Sequence, residues 1–459
     1  MKKSGMVLLA ALAAGTAFSQ QSTSSAAGQS APVDAMDMSQ MQMKDDSNGS
    51  MKNMTGMNMS GEAHSFVEAI ERHASSGTSS EPDATPAPML MTMHRDWMLM
   101  LHGNGFLAAT QQTSPRGKDK LFSTNWVMPM VQRQWGPGQL TLRTMLSLEP
   151  ATVTERQYPL LFQQGETAYG KPIADGQHPH DFVMELAALY DWRLAEKTLL
   201  SFYAGPVGDP ALGPTAYPHR ASALENPVGT LGHHQEDSTH IADDVITVGL
   251  THDIFRIEAS GFHGREPNEH RWQVQQGAID SWSTRLTVQP GQDWSGQYSY
   301  GRLHSPEQLY PAEDQERMTA SIMYDRPMTQ RGNWVSTAGW GRTRSLADNV
   351  IQNSYLFEST LRFAAKNYAW TRIENVDRTT ELLLGENPPP PGFEELPAGR
   401  VQAYTFGYDR DIDLAPHLET AIGGQVTAYT MGSRLEPVYG TDPVGYSFFL
   451  RVRPFGKAR

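Results

Sequence analysis

Residues 402–410 read QAYTFGYDR, with Tyr404, Phe406 and Tyr408 at alternate positions and Thr405, Gly407 and Asp409 between them. Successive side chains of a β-strand point to opposite faces, so this segment predicts a strand with one apolar and one polar side. The split recurs along the chain. Leu140, Leu142, Leu146 and Leu148 oppose Thr141, Arg143, Ser147 and Glu149, and Trp282, Leu286 and Val288 oppose Ser281, Ser283, Arg285 and Gln289. Met318, Ala320, Ile322 and Tyr324 oppose Arg317, Thr319, Ser321 and Asp325; Tyr355, Phe357, Leu361 and Phe363 oppose Glu358, Thr360 and Arg362. A soluble sandwich alternates in the same way, so period alone does not separate it from a membrane barrel.

The connections do. The pattern predicts strands at 96–111, 121–134, 139–149, 182–194, 198–206, 243–252, 255–265 and 280–289, then at 294–304, 315–326, 333–344, 351–365, 368–379, 401–412, 417–431 and 445–455. Turns 135–138, 195–197, 253–254, 290–293, 327–332, 366–367 and 413–416 are short, whereas 150–181, 207–242, 266–279, 380–400 and 432–444 are long. Short turns at one end and long loops at the other characterise outer-membrane barrels. The expected fold is all-β: a transmembrane antiparallel up-and-down β-barrel of about 16 strands (range 14–18), behind a disordered N-terminal tail. Mean hydropathy is −0.48, and beyond the leader no stretch approaches the roughly 18 apolar residues of a membrane helix. A closed barrel is the other structure that satisfies its backbone within lipid. The segment 445–455, GYSFFLRVRPF, turns Tyr446, Phe448, Leu450 and Val452 to lipid and resembles the terminal strand read by the barrel-assembly machinery. Trp97, Trp126, Trp135, Tyr190, Trp192, Trp282, Trp294, Trp334 and Trp370 are assigned to interfacial girdles.

Lys2, Lys3, the apolar run 6–14 and Ala17-Phe18-Ser19 form a secretory signal peptide. The chain therefore divides into a signal peptide (1–19), a Met-rich disordered tail (20–61), a short helix with a Pro-containing linker (62–88) and the barrel (89–459). The expected location is the bacterial outer membrane, with the tail in the periplasm. The absence of cysteine removes disulfides and thiolate metal sites. The net charge of −13 argues against a nucleic-acid partner.

Eight of the 23 methionines, Met36, Met38, Met41, Met43, Met51, Met54, Met57 and Met59, crowd into a stretch otherwise rich in Asp, Ser, Asn, Gly and Lys. Thioethers with no core to fill select Cu(I) over Zn(II), Ca(II) or Mg(II); the alternative is a disordered linker that happens to be Met-rich. His64 and His73, on the predicted helix, stand too far apart to chelate one ion from one face and are expected in solvent. Met89, Met91, Met93 and His94 lead into Met98, Met100 and His102. If Trp97, Leu99 and Leu101 face lipid, then Met98, Met100 and His102 line the lumen, either extending the tail's chemistry or packing against a plug.

Two long loops carry His178, His180, His233, His234 and His240, with His219, Asp181, Glu236, Asp237, Asp243 and Asp244 beside them. They flank one predicted hairpin, so they share a mouth and can fold inward. Such residues bind Zn(II) or Cu(II), or stiffen the loops by hydrogen bonding. Arg143, Glu185, Arg193, Arg256, Glu258, Arg285, Arg317, Glu358, Arg362, Arg372 and Glu374 fall on the lumen face, to orient a polar solute or to pair with one another. His219 and Ser222 lack the spacing of a lipid-facing hydrolytic dyad. No catalytic residue is assigned, the chain is expected not to be an enzyme, and no cofactor is required, copper being an ion it could bind.

A signal peptide, a Met-rich tail (36–59, echoed by 89–102) and an outer-membrane barrel resemble in layout the CopB/PcoB family of bacterial copper-resistance proteins. Within the barrel, GKPIADGQHPHDFVMELAALYDW (170–192) and ENPVGTLGHHQEDSTHIADDV (225–245) resemble instead an uncharacterised family of outer-membrane proteins. The first resemblance implies copper sequestration or export without an enzymatic reaction. The functional expectation is thus a barrel for copper binding, tolerance or export, with the tail as Cu(I) collector. The candidate ligands are the eight tail methionines with Met98, Met100, His102, His178, His180, His233, His234 and His240. Partners would be outer-membrane lipid, copper ions, the barrel-assembly machinery and periplasmic copper proteins. The alternative is a general or substrate-selective porin for small polar solutes.

Overall fold

A computed structural model describes residues 63–329, 332–412 and 414–454. The leader and the tail methionines Met36 to Met59 lie outside the described residues. Sixteen strands build the wall: Trp97–Gln112, Lys120–Trp135, Gly138–Leu146, Val183–Ala195, Thr198–Gly208, Ala242–His252, Phe255–His263 and Ser281–Gly291 form the first half. Trp294–Leu303, Gln315–Thr329, Gly332–Ser345, Ile351–Phe363, Asn367–Thr379, Pro397–Asp411, Leu418–Met431 and Val444–Pro454 complete it. Each pairs antiparallel with the next, and the last returns to the first, with Val452 opposite Gly105 and Gly445 opposite Gln112. The sheet is therefore a closed antiparallel barrel without edges to protect. The alternation places every strand within a few residues of its observed bounds. The third strand stops early, at Leu146, because Ser147 Oγ accepts from Glu149 N and Pro150 opens a turn of helix, Glu149–Thr152.

One strand was not anticipated. Leu90–His94 folds back on the first wall strand through a turn at Arg95, whose φ is 56°. It pairs Met91 with Met100 and Met93 with Met98. This covers the end of the first wall strand that lies beyond the reach of the last one, whose Pro454 stops beside Gly103.

The outward face is apolar, with Phe448 71% and Leu121 65% exposed among many others. A continuous band of this kind is far larger than the apolar patches of soluble monomers and calls for lipid around it. The inward face is polar and, against expectation for a wet lumen, buried. Arg143 and Arg256 are 1% exposed and Arg451 0%, so chain rather than water fills the interior. Two girdle assignments fail for the same reason. Trp126 and Trp370 point inward and are buried, because the lumen offers them packed chain instead of an interface.

The filling comes from both ends. Residues 63–88 form a plug at the short-turn end. Its helix, Phe66–Arg72, starts at Ser65, whose hydroxyl accepts from Glu68 N, and packs Phe66, Val67 and Ile70 against Leu199 of the wall. His73, expected in solvent, is buried instead, its Nε2 2.5 Å from Asp191 Oδ2; His64 is exposed as anticipated. Arg143 then gathers the following turn: its guanidinium donates to the carbonyls of His73, Ser75 and Gly77 and to Glu185 Oε1. Gly77 has φ +51°, and a Cβ there would come within 2.6 Å of Asp209, so this turn requires glycine. Arg285 donates to Thr78 Oγ1, Ala221 N to Glu81 Oε1, and Ala84 N to the carbonyl of Gln292.

From the long-loop end, residues 209–241 fold inward onto this plug. Ala216 N donates to Ser76 Oγ, and Thr215 Oγ1 lies 3.1 Å from Ser79 Oγ. Arg220 joins Glu358 at 2.8 Å and Asp237 at 3.3 Å, and Arg372 holds the carbonyls of Val228 and Gly229. The lumen charges therefore pair locally and grip the folded-in chain. Buried pairs of this sort are costly to break singly.

Candidate functional site

Two groups of metal-binding side chains lie inside the barrel. The first is built on the wall. Met98, Met100 and His102 are buried and face inward, as their parity requires. Across the first two wall strands Met100 stands opposite Met130 and His102 opposite Met128, where facing side chains lie close enough to touch. Met128 and Met130 are buried, and Met145 of the next strand joins them. His219, brought in by loop 209–241, sets Nε2 3.2 Å from Met145 Sδ. Its ring lies 5.8 Å from that of His102, and Trp126 packs against both, at 4.4 and 4.8 Å. Among the described residues, Nδ1 of His102 and Nδ1 of His219 meet no hydrogen-bond partner. Burial pushes the His219 imidazole well below its ordinary range, which keeps it neutral and able to donate a lone pair. His102 and His219 border a cavity of about 50 Å³ beneath the plug.

Sequence reasoning found one strand of this face and missed the rest. Met128 and Met130 were legible as neighbours at i and i+2. Nothing local, however, tells which side of 120–135 turns inward, because both sides of that strand are largely apolar.

The second group gathers the loop histidines. The rings of His178, His233 and His234 lie 5.5 to 6.5 Å apart, and His233 is 5.2 Å from His240, itself 5.5 Å from His180. Hydrogen bonding then sorts them. His180 uses both ring nitrogens, Nδ1 on Glu149 and Nε2 on Tyr217, each at 3.0 Å, which removes it from the expected ligand set. His233 Nδ1 is bound to Asp237 at 2.7 Å and His240 Nδ1 to the Asp237 carbonyl, which orients both rings within the loop, while His240 Nε2 meets no hydrogen-bond partner among the described residues. Against the pull of burial, the bond to His233 and the charge of Arg220 hold Asp237 below the usual carboxylate range. His178 and His234 converge instead on Glu166, a residue the sequence does not single out. One ligand atom from each lies within 4.8 Å of the others. Burial pushes His178 well below its ordinary range and His234 down to about 3, whereas it pushes Glu166 up to about 8 against the opposing charge of Arg271.

His219 and Ser222 face different partners: Ser222 Oγ lies 2.8 Å from Thr337 Oγ1 and donates to Glu358, while His219 turns to Met145.

No protein-family model matches the sequence, and no curated protein is similar to it. The likeness to copper-resistance proteins therefore rests on layout and tail. Among solved structures, the chain is similar to an anion-selective porin from Comamonas acidovorans (TM-score 0.49, 10% identity, covering 78% of this chain and 99% of that one). It is also similar to OmpF of Salmonella typhi in complex with daunomycin (TM-score 0.46, 10% identity, 79% and 100%). A third is the outer-membrane channel DcaP of Acinetobacter baumannii (TM-score 0.43, 8% identity, 79% and 99%). The strand pairings of this chain carry its assignment as a closed sixteen-stranded antiparallel barrel of outer-membrane type; these likenesses say nothing of cargo.

Proposed function

We propose that this chain is a selective outer-membrane channel with a self-filled lumen, and that its cargo is a soft transition-metal ion, Cu(I) first. The observation that supports this most is the inward row of soft donors, Met98, Met100, His102, Met128, Met130, Met145 and His219, with two buried imidazole nitrogens left without partners among the described residues. Thioether and imidazole donors suit Cu(I) and reject hard cations. Outer-membrane barrels keep their termini and short turns on the periplasmic side. In that orientation the tail methionines Met36 to Met59 would collect ions and deliver them to Met91 and Met93, which share a face with Met100 and Met98.

The test is titration of the detergent-folded full chain with Ag(I), a redox-stable substitute for Cu(I), against a chromophoric competitor. Replacing Met100, Met130 and Met145 together by Leu should remove one tight site and leave the tail's weaker ones. Unchanged stoichiometry and affinity would overturn the reading. A porin for small polar solutes is the second reading. It requires steady conductance that is indifferent to metal.

A further inference from the structure

We propose that Glu166, His178 and His234 form a site for one borderline divalent transition-metal ion, Zn(II) or Cu(II), which ties loop 147–182 to loop 209–241 at the long-loop end. The site is separate from the thioether row and stands whether or not that row carries ions.

Its geometry rests on which atoms are already committed. His178 Nδ1 lies 2.9 Å from the carbonyl of Pro179, an oxygen that can only accept, so Nδ1 carries the proton and Nε2 holds a lone pair. That Nε2 lies 3.2 Å from Glu166 Oε1 yet forms no hydrogen bond among the described residues. With both atoms as acceptors, as they are when Glu166 is ionised, a metal ion between them would satisfy both lone pairs. His234, 7% exposed, likewise has Nε2 without a hydrogen-bond partner among the described residues. The other oxygen of Glu166 is fixed by Arg271 at 3.1 Å, and Arg271 is held in turn by Asp181 at 3.2 Å. The first shell therefore has the outer supports that orient metal ligands.

Gly165 makes the approach possible. Its φ is +105°, and a Cβ there would already touch the His234 ring at 3.4 Å. Ligands of a tetrahedral ion at the usual bond lengths sit about 3.3 Å apart, so small side-chain rotations close the set around an ion. Two imidazoles and a carboxylate favour Zn(II) or Cu(II) over Cu(I) and over Ca(II) or Mg(II).

The experiment uses the full-length folded protein and Co(II) as a spectroscopic probe, displaced by Zn(II). The expected result is one equivalent showing intense tetrahedral visible bands. Glu166→Gln and His234→Ala should each weaken Co(II) binding at least tenfold, while Met100→Leu/Met145→Leu leaves it intact. Zn(II) should also slow proteolysis of loop 209–241 in the wild type but not in Glu166→Gln, whose folding is verified by heat-modifiable migration. Absence of Co(II) and Zn(II) binding in the wild type, or full binding in a Glu166→Gln/His178→Asn/His234→Ala chain, would overturn the assignment.

Discussion

Arg143 shows how single residues turn a barrel wall into a socket. Its guanidinium meets three carbonyls of the plug and Glu185 of the neighbouring strand, and Glu185 also accepts from Tyr203. Arg143→Met should cost roughly 3–5 kcal/mol, because it leaves a buried carboxylate without its cation. Replacing Arg143 and Glu185 together by apolar residues should cost less. Unfolding in denaturant, followed for both variants, checks the order. The soft-donor face yields a second prediction at this scale. His102→Ala should reduce Ag(I) affinity by about tenfold, in line with the loss of one ligand from a metal's surroundings. Trp126→Phe, which keeps the packing without donating, should change it little. Competition titration separates the two.

The wall strands were legible because lipid imposes an apolar face on each of them, and period two survives any error in their ends. The plug was not. Residues 74–88 have no period, and their partners Arg143, Arg285 and Gln292 lie far along the chain. Trp126 was misread by the same limit: Phe122, Trp126, Met128 and Met130 face inward because chain fills the lumen, so polarity no longer marks the inner side there. The loop histidines were visible as a group. Only the structure brings His178 and His234 together with Glu166.

Two predictions concern the plug as an element. Thr215 and Ser79 stand with their oxygens 3.1 Å apart, so Ser79→Cys/Thr215→Cys should cross-link on oxidation in a chain that otherwise lacks cysteine. Mass spectrometry of the intact protein detects the bond, and a persistent pair of free thiols would place the plug elsewhere. The second is a pH dependence. Burial pushes Glu81 from 4.5 up to about 8. Between those values the docked plug holds a proton that the released plug loses, so docking is strongest below pH 4.5 and weakens as pH rises toward 8. Protease protection of residues 63–88 should fall across that window. Glu81→Gln should flatten the profile.

At the scale of the whole molecule, the wall resembles that of an open pore while the interior does not. Inward arginines with essentially no exposure, a plug from one end and a folded-in loop from the other make passage depend on moving chain. Whether the resting barrel conducts is therefore decisive. Single-channel recording of the full-length protein in planar bilayers measures this directly. The structure predicts a silent baseline without steady ohmic steps, whereas a large, stable conductance from the moment of insertion would contradict a self-filled lumen.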